Sequence, residues 1–336
     1  MVRLGVIGVG WWSAVNHIPT ILSREDAVLA ALADPAEDRL RIAGETFGVG
    51  ALYTDFREML ARESLDGVLV ASPHVAHFEN ATAALAAGAH VLVEKPMTTS
   101  AADARALTAA ADAAGKQILI PCGWNFGDYT ALAARWVADG GIGRIEHVTC
   151  VMATALEDLF AGAPMLETKD HLFRPPPSTW ADPARAGGYA WGQMSHSLAW
   201  VYHVAGLTPA EAFCFAGKSP AGVDYYDAAA VRFVGGATMA ASGAATVPKH
   251  CGFQLDIRLF GSEGELMFDV ERERLELRRR DGRDRVEPMA KGRAAYNGAA
   301  PVHRFIDICA GHPVENPSDG LVGQRVVETL DAMYRS

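Results

Sequence analysis

Two residues in this 336-residue chain have types and neighbours suited to moving a proton: Lys95 in "HVLVEKP" and His196 in "GGYAWGQMSHSLAW". A lysine at the end of an apolar run beside a proline is not there for packing, and a turn at Pro96 would aim its ammonium group inward. His196 sits between Trp191 and Trp200 with no carboxylate in its window. His196, Trp200 and His203 recur at three to four residues and so share one helix face. Pattern alone therefore reads His196 as a core residue more readily than as an acid.

A third stretch, "GVIGVGWWS", is suited to holding phosphate. Gly8 permits a tight turn after a strand. Gly10 lets the backbone approach a pyrophosphate resting on a helix N-terminus. Ser13 takes the place of the third glycine, and Trp11 and Trp12 fall within the same loop-to-helix turn as expected cofactor neighbours. Asp34 ends the next apolar run, at the distance where a carboxylate accepts hydrogen bonds from ribose hydroxyls. Pro35 and Ala36 follow it and offer no arginine to a 2′-phosphate, so NAD is expected rather than NADP. Two further strand ends, "ASPHVAH" and "EKP", add Ser72, Pro73, His74, His77, Glu94 and Lys95 itself to the expected cofactor-facing set. No other ligand type clusters with His74 and His77, so no metal is expected there.

These residues need elements to position them. "RLGVIG", "VLAALAD", "GVLVAS", "HVLVEKP" and "QILIP" are near-continuously apolar, as strands buried on both faces must be. Alanine-rich helical stretches separate them, one starting on a Ser100 N-cap and stopping at Gly115. This alternation predicts an α/β fold: a Rossmann-type, doubly wound parallel sheet over residues 1–121. From about residue 145 the strands could pair antiparallel, with hairpin signals at Gly235-Gly236 and at "GSEGE". Residues 122–336 are accordingly expected to form a second α/β domain, sharing a cleft with the first and closed by helices near 302–310 and 318–334. "CGWNFGDY" follows the fifth strand, which would set Trp124 and Asn125 over the nicotinamide half of that cleft. Trp124 and Trp191 are candidate aromatic walls for a sugar ring, and Gln193 a candidate hydroxyl contact. The proline-rich stretch 156–186 carries no strong period. It is expected to act as a lid, with Lys169, His171 and Arg174 as candidate substrate contacts, or as an arm in oligomer contacts.

Composition narrows the function classes. A formal charge of −10 disfavours nucleic acid and anionic membranes as partners. The one basic run, "RERLELRRRDGRDR", is interleaved with acids and reads as an exposed edge strand guarded by charge. There is no apolar run of membrane-spanning length and no secretory leader pattern at the N-terminus. Cys122, Cys150, Cys214, Cys251 and Cys309 are odd in number and form no CxxC pair, which fits neither a disulfide framework nor a zinc site. A soluble, cytoplasmic protein is expected.

With "GVIGVG", "ADP", "ASPHVAHFENATAALAAGAHVLVEKPM" and "GGIGRIEHV" in view, the chain resembles the Gfo/Idh/MocA family of NAD(P)-dependent oxidoreductases over nearly its whole length. The resemblance implies a Rossmann domain followed by an α/β domain on a large, mostly antiparallel open sheet, through which members form homodimers or homotetramers. It implies that Lys95 is catalytic and that Gly187, Gly188 and His196 carry the family's substrate-site motif. It also implies a substrate class: a sugar, glycoside, cyclitol or related polyol. The chain departs from the pattern at Gly192, where members place an aspartate four residues before the histidine. Gln193, beside it, can clamp a hydroxyl but cannot titrate.

Hydride transfer from a secondary alcohol to the nicotinamide requires a base for the hydroxyl proton. Lys95, beside cationic NAD⁺ in a partly dry cleft, is expected to have a lowered pKa. His196 would assist or relay to solvent. Two other readings stand beside dehydrogenation. One is redox-neutral elimination, epimerisation or glycoside cleavage on tightly held NAD. The other is a non-catalytic NAD-binding regulator, which the presence of both Lys95 and His196 disfavours.

Overall fold

A computed structural model describes residues 1–336. They form two compact units, 1–121 with 165–179 and 298–324, and 122–164 with 180–297 and 325–336.

In the first unit, β1 (Val2–Ile7), β2 (Ala27–Ala33), β3 (Leu52–Tyr53), β4 (Gly67–Val70), β5 (His90–Val93) and β6 (Ile118–Leu119) form an all-parallel sheet in the order β3-β2-β1-β4-β5-β6. The apolar runs form strands because helices cover both faces. Val68 to Val70 and Val91 to Val93 are fully buried. The added strand, β3, is only two residues long, too short to carry a period. The order reverses between β1 and β4, so the chain ends that leave β1, β4 and β5 gather at the edge where such sheets bind ligands. The helix Ala101–Ala114 starts where Ser100 Oγ accepts the Asp103 N–H and stops at Gly115 in the left-handed region. The helix Ala299–Cys309 also belongs to this unit: a Cβ on Gly67 would meet Cys309 Sγ and Phe305, so glycine there lets the helix approach β4.

In the second unit, β7 (Ile145–Ala153), β8 (Pro209–Lys218), β9 (Asp224–Phe233), β10 (Thr238–Ala244), β11 (Gln254–Gly261), β12 (Gly264–Asp269), β13 (Arg274–Arg279) and β14 (Arg285–Pro288) form one sheet in the order β14-β13-β12-β11-β7-β10-β9-β8. All its pairs are antiparallel except β7 with β10. Gly235 and Gly236, with φ of 90° and 93°, close the β9–β10 hairpin as expected. The basic run corrects one expectation. β13 is paired on both sides, and the edge is β14, reached through the "DGR" turn. Interleaved acids let β13 lie inside the sheet: Glu276, nearly buried, takes Arg274 and Arg278.

One face of this sheet packs on the helix Ser195–Ala205, where Trp200 stacks on Phe268 with ring centroids 5.0 Å apart. The other face leaves Val151, Phe213, Phe215 and Tyr226 exposed. The last helix spans Gly320–Arg335. No helix is long and apolar enough to cross a membrane.

Candidate active site

In the first unit the glycine loop is built tightly. Gly8 has φ +92°, and a Cβ there would lie 2.6 Å from Ala71 O and Ser72 N, so only glycine allows β1 to leave beside the β4 exit. Nothing stands within 4 Å of a Cβ on Gly10. Ser13 earns its place as the third small residue by donating to Gly8 O at 2.5 Å from a buried position. The helix that follows is wound π-wide over Ser13–His17, a local widening often found at functional sites.

Asp34 is buried and holds this loop from the next strand. Its Oδ2 accepts the Val9 N–H at 3.0 Å and its Oδ1 the Ala36 N–H at 2.9 Å. Arg39, which the reading of Pro35 and Ala36 overlooked, brings a guanidinium to 3.7 Å from the same carboxylate.

At the β4 exit, Ser72 donates to Asn80 Oδ1 and Pro73 leads into a 3-10 turn, His74–Ala76. His74 is buried edge-on against His77, ring centroids 5.8 Å apart. His77 ties the β4 and β5 exits together: Nδ1 faces Pro96 O and Nε2 faces Ser72 O, each at 2.8 Å. Burial pushes its pKa down, against the pull of those two carbonyls toward the charged ring. Lys95 and Glu94 are both buried at the end of β5, and Lys95-Pro96 is a cis peptide. Trp11 and Trp12 lie against each other. Trp11 Nε1 donates to His171 Nδ1 at 2.8 Å with the two rings stacked, so the segment 165–179 is strapped to the glycine loop.

In the second unit the motif helix is held at its start. Ala190 N–H donates to Asp224 Oδ2 at 2.7 Å, and Tyr334 OH donates to Asp224 Oδ1 at 2.6 Å. A Cβ on Gly188 would collide with that carboxylate, and one on Gly187 with the Trp180 and Asp182 backbone. Although the residue is partly exposed, desolvation of the Tyr334 hydroxyl and the charge of Asp224 raise its pKa. Trp191 lies flat on Tyr334, centroids 5.1 Å apart. Neither Asp224 nor Tyr334 was found by sequence reasoning; both are remote in the chain, and only the glycine pair hinted that something must come close.

Gln193 is buried within a second π-wide turn, Ala190–Met194, that runs into the helix carrying His196. The place of the expected aspartate is taken by rings: a Cβ on Gly192 would stand 3.1 Å from Phe160 and 3.2 Å from Trp180. His196 is buried in an aromatic cluster, edge-on to Trp124 at 5.9 Å and to Tyr296 at 5.2 Å. Trp124 also meets Phe253 at 5.8 Å. Trp124 Nε1 donates to Ala294 O in the loop before Tyr296, and Asn125 Nδ2 donates to Ala199 O of the helix that carries His196, at 3.1 Å. Phe253 and Tyr296 were also missed, lying in segments without a readable period.

Residues 2–121 match the NAD-binding Rossmann fold of an oxidoreductase family, and residues 130–267 match the GFO/IDH/MocA C-terminal domain. The chain belongs to the Gfo/Idh/MocA oxidoreductase family. It is 32% identical over 167 residues to D-apiose dehydrogenase of Paraburkholderia graminis, covering 50% of this chain and 44% of that protein. It is 39% identical over 101 residues to myo-inositol 2-dehydrogenase of Thermotoga maritima, covering 30% of each. These matches span less than half the length of either relative. Among solved structures, the fold is similar to an oxidoreductase domain protein from Kribbella flavida, with a TM-score of 0.77 at 23% identity over 100% of this chain and 98% of that one. The WlbA dehydrogenase from Bordetella pertussis, solved with NADH and UDP-GlcNAcA, gives 0.76 at 22% identity over 100% and 96%.

The residues present fit a dinucleotide. The open Gly10 faces no side chain, Gly8 leaves no room for one, and Asp34 braces the loop between them.

Proposed function

We propose that this Gfo/Idh/MocA member transfers a hydride between NAD(H) and a secondary hydroxyl or ketone of a sugar, glycoside, cyclitol or related polyol. Lys95 exchanges the hydroxyl proton and His196 assists. The buried Lys95 carries this reading: it leaves β5 at the same sheet edge as the glycine loop, on a turn held by His77 at Pro96 O. NAD supplies the hydride acceptor when bound, with Gly8, Gly10, Trp11, Trp12, Asp34, Ser72, Pro73, His74, His77 and Glu94 around it. Asp34 favours NAD over NADP, because a carboxylate repels a 2′-phosphate. Trp124, Asn125, Trp191 and Gln193 orient the substrate, with Gln193 as a hydroxyl clamp.

The similarity to D-apiose and myo-inositol dehydrogenases supports the substrate class. The test is NADH formation over a panel of myo-inositol, D-apiose, D-xylose and methyl D-glucosides, with Lys95→Met beside the wild type. Turnover lost only in the variant is expected. Turnover that survives the substitution, or none with any member, would contradict the reading.

The Trp11–His171 strap favours a second reading, in which NAD stays bound through a redox-neutral cycle. Substrate would then be converted without NADH accumulating. We also propose that the open sheet face, with Val151, Phe213, Phe215 and Tyr226, meets a second copy in a homodimer or homotetramer. A cytoplasmic location belongs to the same proposal.

A further inference from the structure

Glu94 stands between the lysine and the glycine loop. Its buried carboxylate is held at both oxygens: Oε1 meets His17 Nε2 at 2.9 Å, and Oε2 accepts the backbone N–H of Lys95 at 3.1 Å. His17 is fully buried and closes the π-wide turn that follows the glycine loop. Its other ring nitrogen faces Asn16 Nδ2 at 3.2 Å, and the same amide donates to Gly298 O at 3.0 Å.

An amide nitrogen has two N–H groups and nothing to accept with. With one N–H on Gly298 O and the other on the ring, His17 Nδ1 accepts, and the ring proton sits on Nε2, aimed at Glu94. Turning the amide over would set its oxygen against the Gly298 carbonyl and lose that bond. A residue that does not titrate therefore sets the direction of the His17 donor.

We propose that His17 is a positioning residue for proton transfer. Through Glu94 it fixes the peptide N–H of Lys95, and so the direction of the lysine side chain, relative to the loop that holds the cofactor. The inference rests on Lys95 being the acid/base. Without the His17 donor, the buried carboxylate loses a partner at Oε1, and with it the fixed position from which Oε2 holds the Lys95 peptide. The turn itself keeps a second contact, because the buried His77 ring lies against Pro96 O and Ser72 O, with its N–H available to one of them, independently of His17.

The test uses the full chain with NAD and whichever panel member it turns over best, comparing His17→Leu, His17→Gln and Lys95→Met. His17→Leu is expected to lower kcat by ~10²-fold, the scale of a small misplacement of a reacting group. KM for the sugar and affinity for NAD should hold. His17→Gln, whose amide can donate from nearly the same place as Nε2, is expected to recover most of kcat. Wild-type kcat in His17→Leu would overturn the proposal, as would a loss that glutamine does not relieve or one matched by weaker NAD binding. Lys95→Met keeps two failures apart. If it turns over normally, the catalytic lysine itself is wrong; if it is inactive while His17→Leu is fully active, only the positioning role falls. Should His17→Leu not fold, Glu94→Gln takes its place. Its amide cannot accept from both His17 and Lys95 as the carboxylate does, so a loss of kcat beyond any change in NAD affinity is expected, and unchanged kcat would overturn the proposal.

Discussion

Gly192 shows what a single residue type conveys and what it hides. In sequence it is a missing carboxylate; in the structure it is the space that Phe160 and Trp180 need. Restoring the family's residue with Gly192→Asp forces a side chain against two rings, and overpacking of this kind costs about 1–3 kcal/mol. A lower melting temperature with no gain in turnover is expected. A gain in kcat would show that the aspartate's role was merely unfilled. Gly8 and Asp34 were legible because each residue type answers a local demand of the loop it builds, whereas His196 read from its pattern alone as a core residue. His17, Asp224, Tyr296 and Tyr334 were not, because their partners lie far off in the chain and no local period marks them.

Among the elements, the segment 165–179 departs most from what its sequence suggested. Its length and lack of period suggested a lid or an arm in oligomer contacts; its strapping to the glycine loop was not legible, because a hydrogen bond between Trp11 and His171 leaves no trace in spacing. Trp11→Phe keeps the ring stack and removes the N–H donor. One neutral hydrogen bond is worth about 0.5–1.5 kcal/mol, so NADH should dissociate ~2- to 10-fold faster. Stopped-flow displacement reads this directly, and an unchanged off-rate would show that the strap does not retain the cofactor.

β9 supplies another element-scale expectation. Asp227 is buried next to Asp224, and burial followed by that like charge pushes its pKa up to about 8. The folded state therefore favours the neutral acid. The stability this gives is complete below the ordinary carboxylate pKa of 3.8 and is lost as pH rises towards about 8. Asp227→Asn should melt higher than the wild type at pH above about 8. The difference should shrink as pH falls towards 4, and a gap independent of pH would contradict the assignment.

For the whole molecule, the Rossmann sheet was legible as a doubly wound parallel sheet, because strands buried on both faces must be apolar throughout; the short β3 was not. The second sheet was legible as a set of hairpins. The parallel β7–β10 pair was not, because its partners are not neighbours in sequence. The return of 298–324 to the first unit was equally hidden, since nothing local in a helix names the domain it packs on. The open sheet face carries the expectation of assembly. Stable dimers bury roughly 1,200–2,000 Å² or more, with an apolar centre. Phe215→Glu, at a side chain that is 73% exposed in the single chain, should therefore give a monomer by light scattering where the wild type is a dimer or tetramer. A monomeric wild type would remove that role.

The central claim is that Lys95 moves the proton that hydride transfer requires. Pre-steady-state measurement of the hydride step, by nicotinamide absorbance in Lys95→Met against the wild type, tests it most directly when NAD affinity is measured on the same samples. The account predicts a step slowed by ~10²- to 10⁴-fold, the usual worth of a positioned acid or base, with NAD affinity unchanged. A hydride step at the wild-type rate, or one slowed only in proportion to lost NAD binding, would contradict it.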